Sequence, residues 1–387
     1  MSGTTAEPQA DGALLSTSDG SGCWTWAGVR LSAEGRIDAT QRYADLSWEE
    51  RRKRLTEQET AWLAAQWDWP APGNRFEVRF ATGASAGKVR AAFLVRVLAA
   101  TQAEARRLAG ERLSRAAGPA GSLPSHVRAE PIADEAELRA WLGYPSQVGE
   151  FLEVRKHLSA GRVARGGTTL AYAACHGFFD SGAAWDAWWR SFAALPFPAV
   201  LSIGFEPYDA DNPGFRGLLH QRAAELEELA RPGFPSPLNP YRVPPDLAAQ
   251  AAVPGYRRAL ARYAGRCFSV RVALVGARPL PPTLVESLAG TVSTTTSTAT
   301  SSATGTVRPV RVAATELAQV VGEFRALGAP WLPATYQQNL PAELSPLDRL
   351  LHSLADVAEA ASVLSLPVHW PGMPPVFDRD GAPLPDE

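Results

Sequence analysis

Apolar residues recur along this chain at two periods, and the period switches at definable places. Phe76-Glu77-Val78-Arg79-Phe80 alternates apolar and charged, the pattern of a half-buried strand. Val89, Ala91, Phe93, Val95 and Val97 repeat the alternation, with Arg90 and Arg96 on the opposite face. A hairpin of two strands around a Gly/Ala-rich turn follows. Residues 101–116, TQAEARRLAGERLSRA, change to helical spacing, with Thr101 as N-cap and Glu104 three residues on. His126 to Glu130 predicts a short strand, and Asp134 caps a helix through Trp141.

The same order returns twice. Residues 168–175 (TTLAYAAC) predict a strand, Asp180 opens a helix bearing Trp185, Trp188 and Trp189, 199–207 is a strand, and 214–230 is a helix. Residues 267–276 (CFSVRVALVG) and 307–313 predict strands, followed by helices over 281–290 and 315–327. The first and third units also end alike, in Leu142-Gly143-Tyr144-Pro145 and Leu327-Gly328-Ala329-Pro330. Internal duplication of a small strand–helix–strand–helix unit explains this order.

The flanks differ. Residues 1–22 are small and polar, as in a disordered arm. Residues 23–73 hold Trp24, Trp26, Trp48, Trp62, Trp67 and Trp69, half of the chain's 12 tryptophans. Ser47 and Glu50 form a capping box for a helix that Asp68-Trp69-Pro70 ends. These tryptophans pack a small core or present a docking surface. The chain therefore divides into the arm 1–22, a Trp-rich helical segment 23–73, α+β modules 74–145, 146–231 and 256–330, and a Pro-rich linker 232–255. The third module carries a mobile, charge-free Thr/Ser loop at 292–306. Residues 331–387 give a helix (345–364) and an extended Pro-rich tail.

Composition narrows the function classes. Among 387 residues, 45% are hydrophobic and 20% charged, as in ordinary globular proteins. The net charge of −2 gives no global basic field, so nucleic-acid binding has no support from charge. Cys23, Cys175 and Cys267 lie far apart and make neither a disulfide framework nor a zinc site. No signal peptide and no apolar run of about 18 residues is present, so direct membrane insertion is not expected and a cytoplasmic location is.

Candidate chemistry clusters at Gly83-Ala84-Ser85-Ala86-Gly87-Lys88. As a P-loop it has one spacer too few, Val89 in place of the hydroxyl residue, and a strand where a helix must follow. As the G-x-S-x-G elbow of a serine hydrolase it lacks the strand–turn–helix context. Ser85 remains the nucleophile of an alternative enzymatic reading. Arg90 and Arg96 keep a second alternative, a single-stranded nucleic-acid-binding module. Cys175 and His176 point to opposite faces of a strand and form no dyad. The remaining histidines show no metal spacing. No catalytic residue, cofactor or metal is expected.

Ala358-Glu359-Ala360-Ala361-Ser362-Val363-Leu364-Ser365-Leu366-Pro367 resembles the stretch that closes the non-catalytic N-terminal region of the HerA/FtsK-superfamily pumping ATPases, type IV secretion and conjugation ATPases included. Residues 194–203 (ALPFPAVLSI) look like the same region, and the resemblance spans roughly 74–377. It implies repeated ferredoxin-like α+β modules. In those ATPases a motor with Walker motifs follows; no Walker A occurs in this sequence. The resemblance thus implies a non-enzymatic adaptor, able to form homo-oligomers, whose ATPase partner is encoded separately and sets any membrane association. Leu366, Pro367, Trp370 and Phe377 in the tail, then Trp24 and Trp26, are the expected partner contacts.

Overall fold

The computed structural model describes residues 12–39, 41–68, 71, 73–83, 87–118, 123–165, 168–175, 177–178, 184–233, 243–293, 307–328, 340–378 and 384. The fold is mixed α+β with antiparallel sheets. Strands β1 (Leu14–Asp19) and β2 (Gly22–Ala33) come first, then α1 (Trp48–Ala65), β3 (Arg75–Thr82), β4 (Val89–Ala99), α2 (Gln102–Ala117), β5 (Val127–Pro131) and α3 (Glu135–Gly143). There follow β6 (Glu150–Lys156), β7 (Leu158–Arg165), β8 (Thr168–Cys175), α4 (Ala184–Ala193), β9 (Ala199–Asp209), α5 (Pro213–Leu229), α6 (Leu247–Arg262), β10 (Arg266–Gly276), α7 (Pro282–Thr291), β11 (Val307–Arg311) and α8 (Leu317–Arg325). The last elements are α9 (Pro346–Leu350), β12 (Leu354–Asp356) and α10 (Val357–Ser362).

The large sheet runs β1-β2-β4-β3-β9-β10-β6-β11, with β5 also on β2 and β12 on β10. Strands β2, β3, β4 and β5, interleaved with α1 and α2, lie in the order β5-β2-β4-β3. Strands β6, β9, β10 and β11, interleaved with α4 and α7, lie as β11-β6-β10-β9. In both sets the fourth strand is outermost, then the first, the third and the second. The elements therefore group as two like sets, where three modules were expected. The β7–β8 hairpin and the α5–α6 pair are insertions in the second set. The two sets join edge to edge: β3 pairs antiparallel with β9, from Phe76↔Phe205 to Thr82↔Ala199. The likeness of 142–145 to 327–330 fits this plan, because α3 and α8 each follow the outermost strand of their set.

One sheet face packs on α1, α2, α4 and α7 through a large apolar core around Phe76, Phe93, Ile203, Phe268 and Trp188. The other face packs on α3 and α8 through Leu138, Trp141, Val320 and Phe324. The local start signals act as read: Ser47 and Glu50 close a capping box, and the side chains of Thr101 and Asp134 accept from the amides of Glu104 and Glu137.

Several expectations need correction. Residues 14–33 form strands, not an arm and a helical segment, because Ala27, Val29, Leu31 and Ala33 alternate into the core. Residues 247–262 form α6, which starts inside the expected 232–255 linker, runs into the expected third module, and continues past Pro254 from the Asp246 cap. Residues 168–175 form a strand, but in a separate two-stranded sheet with β7. The helix expected over 345–364 breaks into α9, β12 and α10, because Ser353 to Asp356 adds to β10 and Asp356 caps afresh. Strand β3 is buried on both faces, its charges included. The 294–306 part of the Thr/Ser loop and the tail at 379–383 and 385–387 lie outside the described residues.

Candidate functional site: the C-terminal strap and its aromatic patch

The C-terminal segment 354–378 folds as a strap across the sheet face that carries α1, α2, α4 and α7. It starts as β12 on β10, then turns into α10. Glu359 of α10 is 1% exposed and anchors the turn. Its carboxylate lies 2.5 Å from Lys156 Nζ, accepts from the Phe178 amide at 2.8 Å, and accepts from Tyr263 Oη at 3.1 Å. The Leu366 amide then donates to Glu59 of α1 at 2.9 Å. The Ile37 amide donates to the His369 carbonyl at 3.0 Å. Near its end the strap runs beside the start of β4: the Val89 amide donates to Val376 at 2.8 Å, and the Asp378 amide donates to Val89 at 3.1 Å. Lys88 Nζ donates to the Pro375 carbonyl at 3.0 Å.

This placement buries the tail residues that were expected to contact a partner. Leu366 is 0% exposed, Phe377 3% and Trp370 6%, and Pro367 is buried as well. Phe377 packs edge-on against Trp189 at 5.1 Å and near Phe80. Apolar residues in a Pro-rich segment suit a partner's groove and the chain's own groove equally well; here the chain supplies the groove. Trp24 and Trp26 are half-buried on β2 and stack at 6.4 Å. The Trp24 indole donates to Asp19 at 2.9 Å, and Trp26 donates to the Ala326 carbonyl at 3.1 Å.

A surface patch sits where the strap crosses α1 and α4. Trp370 lies 4.0 Å from the Trp48 ring, and the Arg52 guanidinium lies 5.2 and 5.5 Å from the two rings. Asp186 of α4 accepts from Trp370 Nε1 at 3.0 Å and also pairs with Arg52. Cation–π contact and ion pairing thus hold one guanidinium over two indoles. Trp48 remains 39% exposed, which is unusual for so large an apolar ring. Beside it, Trp189, Met373, Val376 and Phe377 line a cavity of about 20 Å³. That volume holds a water molecule and falls far below the roughly 300 Å³ of a small-molecule site.

Models of known protein families and the curated proteins were compared with the chain, and none matches.

Elsewhere the expected chemistry resolves case by case. Ser85 lies outside the described residues; the strands on either side pair from Thr82↔Val89. Among the described residues, no three His, Cys, Asp or Glu side chains stand together as a metal site requires. Arg90 lies 3.4 Å from Asp378. Arg96 donates to the carbonyls of Gly73 and Ala326 and lies over Trp24. Both arginines are therefore engaged within the chain, and neither stands out as a free contact for a phosphate. Among the described residues, no helix is long and apolar enough to cross a membrane.

Sequence reasoning missed the buried ionisable groups. Strand periodicity places Glu77 and Arg79 on one face but cannot say that helices cover it. Burial and then the nearby Arg155 push the His352 imidazole down to about 3. In the unfolded chain this group binds a proton near its ordinary 6.5, so the folded state is disfavoured as protons become available. Stability from this group is full above pH 6.5 and is lost as pH falls from there toward 3. Wild-type protein is expected to lose a few kcal/mol over that window. Urea midpoints measured from pH 7 to 4 check this, and His352→Gln is expected to flatten the upper part of the profile.

Proposed function

We propose that this chain is a non-enzymatic adaptor or assembly subunit. Its partner is a separately encoded HerA/FtsK-like pumping ATPase that moves DNA or protein. Each of the two sets of elements reads as a ferredoxin-like unit, with a split strand–helix–strand order and an antiparallel sheet. The observation that carries this reading is the Trp48–Arg52–Trp370 patch. Its exposed element is the Trp48 ring, 39% exposed and backed by the buried Trp370, which Asp186 and the strap contacts hold in place. Aromatic and arginine side chains of this kind concentrate binding energy at protein interfaces. The partner contact is assigned to this patch, and the buried strap residues support it from beneath.

The test is affinity purification from the native cell, with wild type and with Trp48→Ala. Trp48 lies at the first turn of α1, and its loss leaves the strap contacts of Leu366 and Phe377 in place. The expected result is a Walker-motif ATPase in fixed ratio with wild type and at least about tenfold less with the variant, as for an interface hot spot. Wild type that recovers no ATPase and runs as a free monomer contradicts the proposal.

A further inference from the structure

The strap and α4 enclose a pit of about 20 Å³. Trp189, Trp370, Met373, Val376 and Phe377 wall it, and the charged residues that line it are Asp186 and Arg190. A tight turn builds one wall. Trp370-Pro371-Gly372-Met373 has proline second and glycine third, with Gly372 at φ 74°, as a type II turn requires. The Met373 amide donates back to the Trp370 carbonyl at 3.4 Å, which sets both residues at the pit.

The charges around this part of the strap do not cancel. Asp186 and Arg190 stand four apart on α4, a spacing at which an acid and an arginine can pair along a helix. Asp186 instead pairs with Arg52 and accepts from Trp370 Nε1 at 3.0 Å. The Arg190 side chain is exposed and has no ion-pair or hydrogen-bond partner among the described residues. Lys88 Nζ donates to the Pro375 carbonyl at 3.0 Å and has no carboxylate partner among the described residues. Arg90 lies 3.4 Å from Asp378. Arg52, Lys88, Arg90 and Arg190 thus stand against Asp186 and Asp378, four cations against two anions.

The size and lining of the pit narrow what enters it. It has room for the tip of one aliphatic side chain, and its largely apolar wall offers few of the polar partners that a buried water needs.

We propose that the pit receives one short aliphatic side chain from an extended, acidic segment of the partner protein, and that a carboxylate of that segment pairs with Arg190. The inference rests on assigning the partner contact to the Trp48–Arg52–Trp370 patch, with which the pit shares Trp370 and Asp186. The aliphatic group is the buried anchor, and the carboxylate fixes its register and rejects basic competitors. A bulky aromatic side chain is too large for the pit.

The test uses the full chain labelled with fluorotryptophan and followed by fluorine NMR during titration with synthetic peptides. A peptide with one valine flanked on both sides by glutamates is expected to shift tryptophan signals saturably. Replacing its valine by glycine, or its glutamates by lysines, is expected to weaken binding at least about tenfold. Arg190→Glu, at an exposed helix position, is expected to weaken binding of the acidic valine peptide by a similar factor. Absence of a saturable shift with that peptide overturns the proposal. Equal binding of either altered peptide, or an unchanged response of Arg190→Glu, overturns it as well. Its failure is distinguishable from that of the assembly reading. An ATPase captured equally by wild type and by Arg190→Glu overturns the acidic anchor and leaves the assembly reading in place. Peptide binding as expected, by a wild type that captures no ATPase, does the reverse.

Discussion

Deleting residues 365–387 is expected to unfold the chain or leave it without a cooperative transition. The deletion removes Leu366, Trp370 and Phe377, which are 0%, 6% and 3% exposed. Each buried side chain of this size contributes about 2–3 kcal/mol. Together they approach the roughly 5–15 kcal/mol that separates a folded domain from its unfolded state. The loss also uncovers Phe80 and Trp189, and strips the partners of the Ile37 and Val89 amides and of the Glu59 carboxylate. A thermal melt with circular dichroism checks the expectation. A truncated chain that melts within a degree or two of wild type would show that the strap adds nothing. Loss of a partner after such a truncation is therefore no evidence that the tail touches it.

Glu77→Gln is expected to cost about 3–5 kcal/mol, the range for a buried ion pair that loses one member. Glu77 is the carboxylate shared by Arg79 and Arg271 at the centre of the sheet. Burial by itself would raise its pKa; Arg271, Arg79 and Arg75 outweigh burial and hold it at about 2. Its ordinary value is 4.5, so its stabilisation is complete above that pH and disappears as pH falls toward 2. The gap between wild type and variant in urea unfolding should accordingly be widest near neutrality and close in acid. A gap independent of pH would mean that lost shape, not lost charge, sets the cost. His352 acts from pH 6.5 downward, so between 6.5 and 4.5 its contribution is read alone, and below 4.5 the two overlap.

Periodicity and capping were legible because they are local. The β3–β4 hairpin, α2 and its Thr101 cap, and the capping box at Ser47 depend on residues within one or two turns. Strand β2 was hidden by its own aromatics. Trp24, Trp26 and Arg30 face one way and Thr25, Ala27, Val29 and Leu31 the other, so period two is present in small residues beside bulky ones. The break at Asp356 had a visible sign: Asp356 and Glu359 stand three apart, as do Ser345 and Asp348, so two helix starts lie within the expected single helix. Strand order was not legible, because pairing β3 with β9 joins residues about 125 positions apart. For the same reason three apparent modules become two sets once hairpin and helix insertions are recognised.

The candidate site was half legible. Trp370 and the tail were singled out by composition, but composition does not distinguish an apolar residue awaiting a partner from one already buried. Trp48 read as a helix-opening residue, and only the crossing of the strap over α1 brings it against Trp370 and Arg52. Glu359, in the 358–367 stretch that the sequence singled out, proves to be a buried anchor for Lys156 and Tyr263. Its role is met by packing, whatever the assembly.

Hydrogen exchange read by mass spectrometry on the intact protein tests most directly whether the C-terminal segment is a tie or a docking tail. The amides of Leu366 and Asp378 donate to Glu59 and to Val89, and Ile37 and Val89 donate back to the strap. A tie predicts that peptides covering 365–378 exchange as slowly as β12, with Ile37 and Val89 equally protected. Exchange of those peptides at the unprotected rate, while β3 and β9 stay closed, would contradict it and return the segment to the role of a free docking tail.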